Sequence, residues 1–152
     1  MRHLIPLTIL ALSGLAVAAQ QLQVTLYRIV TINTQGTVQE RREANPKGIR
    51  SGDILEQSVL LTNDREVPVK NARVTIPIPK NTTYITPNLH GALFSIDGGN
   101  VFAKEPLKEL VTRNGRRVQE FVSPTRYTHV RFVIPELPAR SRVELSFRVR
   151  AK

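Results

Sequence analysis

The chain has 152 residues, with 22 Lys and Arg against 12 Asp and Glu for a formal net charge of +10 at pH 7, and no Cys or Trp. That length suits a single domain with one core, and the missing thiols exclude disulfides, thiol nucleophiles and thiolate metal sites, so packing alone must hold the fold. The excess of cations favours anionic partners such as nucleic acid, phosphate-bearing envelope polymers or acidic lipid head groups, or else serves solubility alone.

In chain order, the start reads as a secretory leader. Arg2 and His3 precede an apolar run from Leu4 to Val17, and Ala16-Val17-Ala18-Ala19 is a small-residue exit fit for signal peptidase. The expectation is a signal peptide over residues 1–19 and a mature chain that is periplasmic, secreted or at the cell surface. An uncleaved N-terminal anchor is the alternative, although the run is short for a membrane span. The leader holds one basic residue, Arg2, and no acid, so its loss leaves a net charge of +9.

Beyond it the period is two. Leu22, Val24 and Leu26 alternate with Gln23, Thr25 and Tyr27 in a first strand running towards Ile32. The polar stretch from Asn33 to Arg50 predicts a flexible connection or a poorly paired hairpin, so residues 20–47 form an N-terminal strand with its connection, and residues 48–152 the main body. Ile54 to Thr62 predicts a strand with Leu55, Val59 and Leu61 inward, and Asn63-Asp64-Arg65-Glu66 a turn into a strand over Val67 to Ile76, which Pro77 and Pro79 end or hold at a sheet edge. Phe94-Ser95-Ile96 and Val101-Phe102 flank Asp97-Gly98-Gly99-Asn100, which predicts a tight hairpin whose glycines supply positive φ. Glu109 to Thr112 and Arg116 to Phe121 flank Arg113-Asn114-Gly115, the strongest short hairpin signal in the chain. Val130, Phe132 and Ile134 mark one C-terminal strand, and Val143, Leu145, Phe147 and Val149 mark another. The turn-rich Pro135 to Ser141 between them predicts an antiparallel C-terminal hairpin. About seven to nine short strands without helical interludes predict an all-β fold, an immunoglobulin-like antiparallel β-sandwich.

Several of these segments together resemble a family. Ser51-Gly52-Asp53 leading into Ile54 to Asn63, then Val67-Pro68-Val69-Lys70-Asn71-Ala72-Arg73-Val74, then Ile76-Pro77-Ile78-Pro79-Lys80-Asn81-Thr82-Thr83-Tyr84, look like the bacterial DUF11 "conserved repeat" domain of secreted and surface proteins. Phe94 to Phe102 also resembles a hairpin of such domains. The resemblance runs from about Gly48 to the C-terminus, and it implies an extracytoplasmic immunoglobulin-like module of envelope or adhesion architecture with no catalytic residues.

No cluster of residues predicts catalysis, a cofactor or a metal. His90 and His129 fall in no two-ligand metal spacing, and Asp97 with Asn100 supplies too few oxygens for the about six to eight that calcium takes. No serine sits in a nucleophile elbow, and no Gly-rich loop opens a helix. The basic residues are the candidate site. Arg142, Arg148 and Arg150 share the polar side of the last strand, and a C-terminal hairpin would set His129 and Arg131 beside them, since facing residues in a hairpin have Cβ atoms about 5 Å apart. With Glu144 the only acid in that stripe, it predicts a contact surface for an anion or an acidic partner, or else a solvated face of arginine stems. Arg113, Arg116 and Arg117 form a second basic tip. Nucleic acid is disfavoured as a partner because no aromatic residues interleave with the arginines to stack bases. The expected role is a non-enzymatic envelope or cell-surface module acting through protein or anionic-polymer contacts. The alternative is a filament or surface-assembly subunit whose first strand is donated to a neighbour's sheet edge.

Overall fold

The structure, a computed structural model, describes residues 21–87 and 91–152. The leader expected over residues 1–19 and His90 lie outside the described residues. Eleven strands run through them: β1 (Gln21–Thr34), β2 (Thr37–Ala44), β3 (Ile54–Asn63), β4 (Val69–Pro77), β5 (Thr82–Pro87), β6 (Leu93–Ser95), β7 (Ala103–Lys104), β8 (Lys108–Arg113), β9 (Arg116–Phe121), β10 (His129–Leu137) and β11 (Ser141–Ala151), with a single 3₁₀ turn at Pro124–Arg126. Every pairing is antiparallel. One sheet has the order β2-β1-β3-β11-β5, a second β4-β10-β6-β7, and β8 with β9 forms a separate two-stranded ribbon.

The alternating side chains decide what lies between the two larger sheets. From the first come Leu55, Val59 and Leu61 on β3, Leu145, Phe147 and Val149 on β11, and Tyr84 on β5. From the second come Val74 and Ile76 on β4, Phe94 on β6, and Val130, Phe132 and Ile134 on β10, all in one buried cluster. At its centre the rings of Tyr84, Phe94 and Tyr127 tilt against one another with centroids 4.8 to 5.6 Å apart, the offset geometry that ring quadrupoles favour. The chain is an all-β antiparallel sandwich, and no helix among the described residues is long and apolar enough to cross a membrane.

Three local expectations change. The C-terminal hairpin does not form: β10 pairs with β4 and β6, whereas β11 pairs with β3 and β5, so Pro138 to Arg140 arches from one sheet to the other. Both strands bury an apolar side in the same core, and two strands so patterned fit as well facing each other across that core as side by side. Asn63, fully buried, holds the arch. Its Nδ2 donates to the carbonyls of Val67, Leu137 and Pro138 at 3.0, 3.1 and 2.8 Å, and its Oδ1 accepts the Arg65 N–H at 3.1 Å. The polar stretch after β1 is neither a free connection nor poorly paired: β2 matches β1 over eight residue pairs, from Tyr27↔Ala44 to Thr34↔Thr37. Gln35 (φ 52°) and Gly36 (φ 82°) make the two-residue turn, with positive φ at both positions as such hairpins require. The loop of the β6–β7 hairpin is wider than expected. Pairing resumes only at Ala103, because Asp97 Oδ1 gathers the Ser95 hydroxyl (2.6 Å) and the N–H groups of Asn100 (3.1 Å) and Val101 (3.0 Å) into a turn of their own. The β8–β9 hairpin follows the sequence signal, with Asn114 (φ 51°) and Gly115 (φ 73°) between Arg113 and Arg116.

Candidate anion-binding face

The switch of sheets between β10 and β11 divides the expected basic stripe. His129 and Arg131 lie on the outer face of the four-stranded sheet, and Arg142, Arg148 and Arg150 on the outer face of the five-stranded one, so the two groups are not neighbours.

On the five-stranded face Arg148 is not open to a partner. Its Nη1 and Nη2 meet Glu40 Oε1 and Oε2 at 3.0 and 2.7 Å, a bidentate fork, and its Nε donates to Glu56 Oε2 at 3.0 Å. Glu56, almost wholly buried, receives Arg42 on its other oxygen. Arg42 also reaches Glu144 Oε1 at 2.9 Å, and the Ser58 hydroxyl donates to that same oxygen at 2.6 Å. The Arg42 guanidinium stands over the Tyr27 ring, 5.2 Å from its centroid. Glu144 is therefore not the only acid beside these arginines, since β2 and β3 bring Glu40 and Glu56. Arg142 and Arg150 remain exposed to either side of this network without an ion pair among the described residues.

The Arg148 fork holds the Glu40 carboxyl below its ordinary range, and the Ser58 hydroxyl, with Arg42 beside it, does the same for Glu144. A carboxylate with a depressed folded pKa adds stability that is present above its unfolded pKa of about 4.3 and is lost as pH falls through the folded value. Arg148→Gln is accordingly expected to cost about 1–2 kcal/mol at neutral pH by stripping charged hydrogen bonds from Glu56 and Glu40. Denaturant midpoints should show that difference shrink as pH falls through the depressed folded value of Glu40, while Arg150→Gln changes stability little at any pH. Equal costs for the two substitutions at pH 7 would contradict the clamp.

The four-stranded face is built differently. Register aligns Thr75 on β4, Arg131 on β10, Leu93 on β6 and Lys104 on β7 in one row, with Arg73 opposite Val133 in the next. Arg131 Nε donates to the Thr75 hydroxyl at 2.8 Å, and its guanidinium carbon lies 3.6 Å from the centroid of the Phe102 ring. Both partners are neutral. They fix the plane of the guanidinium and leave its two terminal nitrogens without a hydrogen bond among the described residues, a preset fork for an anion. Arg73, Arg131 and Lys104 have no carboxylate partner among the described residues, and the nearest acid along β10, Glu136, stands at its far end opposite Lys70.

His129 is tethered rather than open, its Nδ1 3.1 Å from the Thr128 hydroxyl and its ring packed against Gly99. It sits where this face meets an open groove of about 660 Å³ lined by Lys80, Asn81, Thr82, Thr125, Thr128 and Lys152 among others, with no acidic side chain in its wall. Lys80, Lys152 and the threonine hydroxyls share the groove wall with Pro77, Ile78, Pro79 and Tyr127, and His129 links it to the face that carries Arg131. Sequence reasoning singled out Arg131 and His129 but missed Arg73, Thr75, Phe102, Lys104 and the groove lysines, which reach them only through non-local pairing. The basic tip at Arg113, Arg116 and Arg117 lies apart on the β8–β9 ribbon, with Arg113 paired to Glu120. Among the described residues no group of three or more His, Asp or Glu is placed to hold a metal ion.

Comparisons with protein-family models, with curated proteins and with solved structures found no match to this chain.

Proposed function

We propose that the protein is a non-enzymatic extracytoplasmic module of the cell envelope or surface that binds an anionic polymer across the outer face of its four-stranded sheet. One observation carries this reading: the carboxylates that answer the arginines are gathered on one face. On the five-stranded sheet Glu40, Glu56 and Glu144 engage Arg42 and Arg148, with Arg142 and Arg150 standing apart to either side, while on the four-stranded sheet Arg73, Arg131 and Lys104 have no carboxylate partner among the described residues and Arg131 is held in a fixed plane. Leaving like charges together on a rigid sheet is costly unless an anion relieves them. The leader-like residues 1–19 and the resemblance to DUF11 support a setting outside the cytoplasm.

Retention on a polyphosphate matrix tests the proposal. The wild type is expected to be retained at low salt and to elute as salt is raised, because added ions screen exposed charges, to about 8 Å at physiological ionic strength. The triple variant Arg73→Gln, Lys104→Gln, Arg131→Gln should elute much earlier, and Arg116→Gln with Arg117→Gln close to wild type. Equal elution of the triple variant and wild type would remove this face from the function. A strand-donating filament would have β1 exchange its nine residue pairs with β3 for a neighbour's sheet edge.

A further inference from the structure

β1 has an open edge. Its Gln21 to Ile29 pair with β3 on one side, whereas β2 covers the other side only from Tyr27 onwards, and the last bond there runs from the Asn45 N–H to the Leu26 carbonyl at 2.8 Å. In an antiparallel strand the N–H and C=O of one residue point to the same side and alternate along the chain. Leu26 points away from β3, and so do Val24 and Leu22. Four backbone groups, the N–H and C=O of Leu22 and of Val24, therefore face outward with no strand beside them among the described residues. The side chains of these two residues continue the core side of the sheet beside Leu61 and Val59, yet are 53% and 54% exposed.

We propose that this edge pairs with the same edge of a second copy, two-fold and antiparallel, joining two five-stranded sheets into one. Among the described residues one register bonds all four groups of each chain. With Gln23 opposite Gln23 of the second copy, Leu22 faces the partner's Val24 and Val24 the partner's Leu22, and each of the four free groups on each chain gains a bond. Placing Val24 opposite Val24 would set Leu22 against Leu26, whose carbonyl is already taken by Asn45. In the selected register Leu22 and Val24 also cover each other's exposed surface across the axis.

Charge favours a second copy as the occupant. Gln21 to Tyr27 contains no ionisable acid or base before Tyr27 itself, and Arg28 is the first charged residue, so two strongly cationic chains can meet here without placing like charges in register. The other edge strands carry the residues that block such pairing: Lys70, Arg73 and Pro77 on β4, the Glu40-Arg41-Arg42-Glu43 run on β2, Pro87 on β5, Lys104 on the two-residue β7, and charged residues along β8 and β9. Alternating, uncharged and proline-free, the start of β1 has none of these.

The chain contains no cysteine, so one substitution gives one thiol. Gln23→Cys places two thiols at a non-hydrogen-bonded pair whose Cα atoms lie about 4.5 Å apart, within the range that a disulfide spans. In air the full chain carrying Gln23→Cys is expected to form disulfide-linked dimers about tenfold or more faster than the same chain carrying Gln119→Cys on the exposed face of β9, because paired edges raise the effective thiol concentration. Adding Val24→Lys or Leu22→Lys to the Gln23→Cys chain should bring the rate down to the Gln119→Cys level. Both sites are half-exposed, and thermal melts identify any variant whose fold is lost. In sedimentation of the unsubstituted chain the dimer should rise with added salt, as repulsion between like-charged copies is screened, the opposite trend to polyphosphate retention. Equal cross-linking at positions 23 and 119, or a Gln23→Cys rate unchanged by both lysine substitutions, would overturn the pairing and leave the anion-binding face untouched.

Discussion

Phe147→Ala and Phe132→Ala are each expected to cost about 3–5 kcal/mol in a denaturant midpoint experiment, the usual loss for a buried phenylalanine whose cavity is only partly refilled. The two rings come from opposite sheets, Phe132 on β10 and Phe147 on β11, and they are 1% and 0% exposed in the shared core. No disulfide or described metal site supports this core, so packing between the sheets is what keeps them together. A loss below 1 kcal/mol for either substitution would mean that its strand turns its other side inward.

The second large effect is expected at Asn63. Its amide donates to three carbonyls that belong to the β3–β4 turn and to the β10–β11 arch, so one side chain ties the two sheets together at that end of the sandwich. Asn63→Ala leaves those carbonyls without donors, and Asn63→Asp turns a carboxylate on them. The alanine variant should lose about 2–3 kcal/mol and the aspartate variant more, since an unmet buried group costs about 1–3 kcal/mol and a charged one exceeds that. Matching unfolding midpoints for Asn63→Asp and wild type at pH 7 would show that the arch holds without this amide.

Period-two patterning made the strand faces legible. Leu55, Val59 and Leu61, Phe132, and Phe147 all fall inward as their alternation requires, and Asn114-Gly115 marks its hairpin. Alternation, however, reports the side of a strand and not its neighbour. Pro138 to Arg140 could close a hairpin or bridge two sheets, and only the packing of both apolar sides into one core, with Asn63 receiving the arch, selects the bridge. β2 has no apolar face to reveal it, with Val38 and Ala44 as its only apolar residues. It is held by its ladder to β1 and by ion pairs such as Arg28 to Glu43 at 2.8 Å.

The same limit shaped the candidate site. Arg148 looked open because its partners Glu40 and Glu56 lie 108 and 92 positions away in the chain, beyond any local pattern. Arg131 was legible as a cation on a polar face, but the Thr75 hydroxyl and the Phe102 ring that make it a fixed fork come from β4 and from the loop before β7. Sequence thus indicated which residues are cationic, and tertiary pairing sorted those engaged by carboxylates from those without one among the described residues.

The proposal that the four-stranded face meets an anionic polymer is tested most directly by following backbone amide shifts while polyphosphate is added to the isotope-labelled protein. The sorted charges predict the largest, salt-sensitive shifts at Arg73, Thr75, Phe102, Lys104 and Arg131, spreading through His129 to Lys80, with Arg148 and its neighbours on β11 unmoved. Shifts centred on Arg142 and Arg150, or on the Arg116–Arg117 tip, with the row through Arg131 unchanged, would contradict the account.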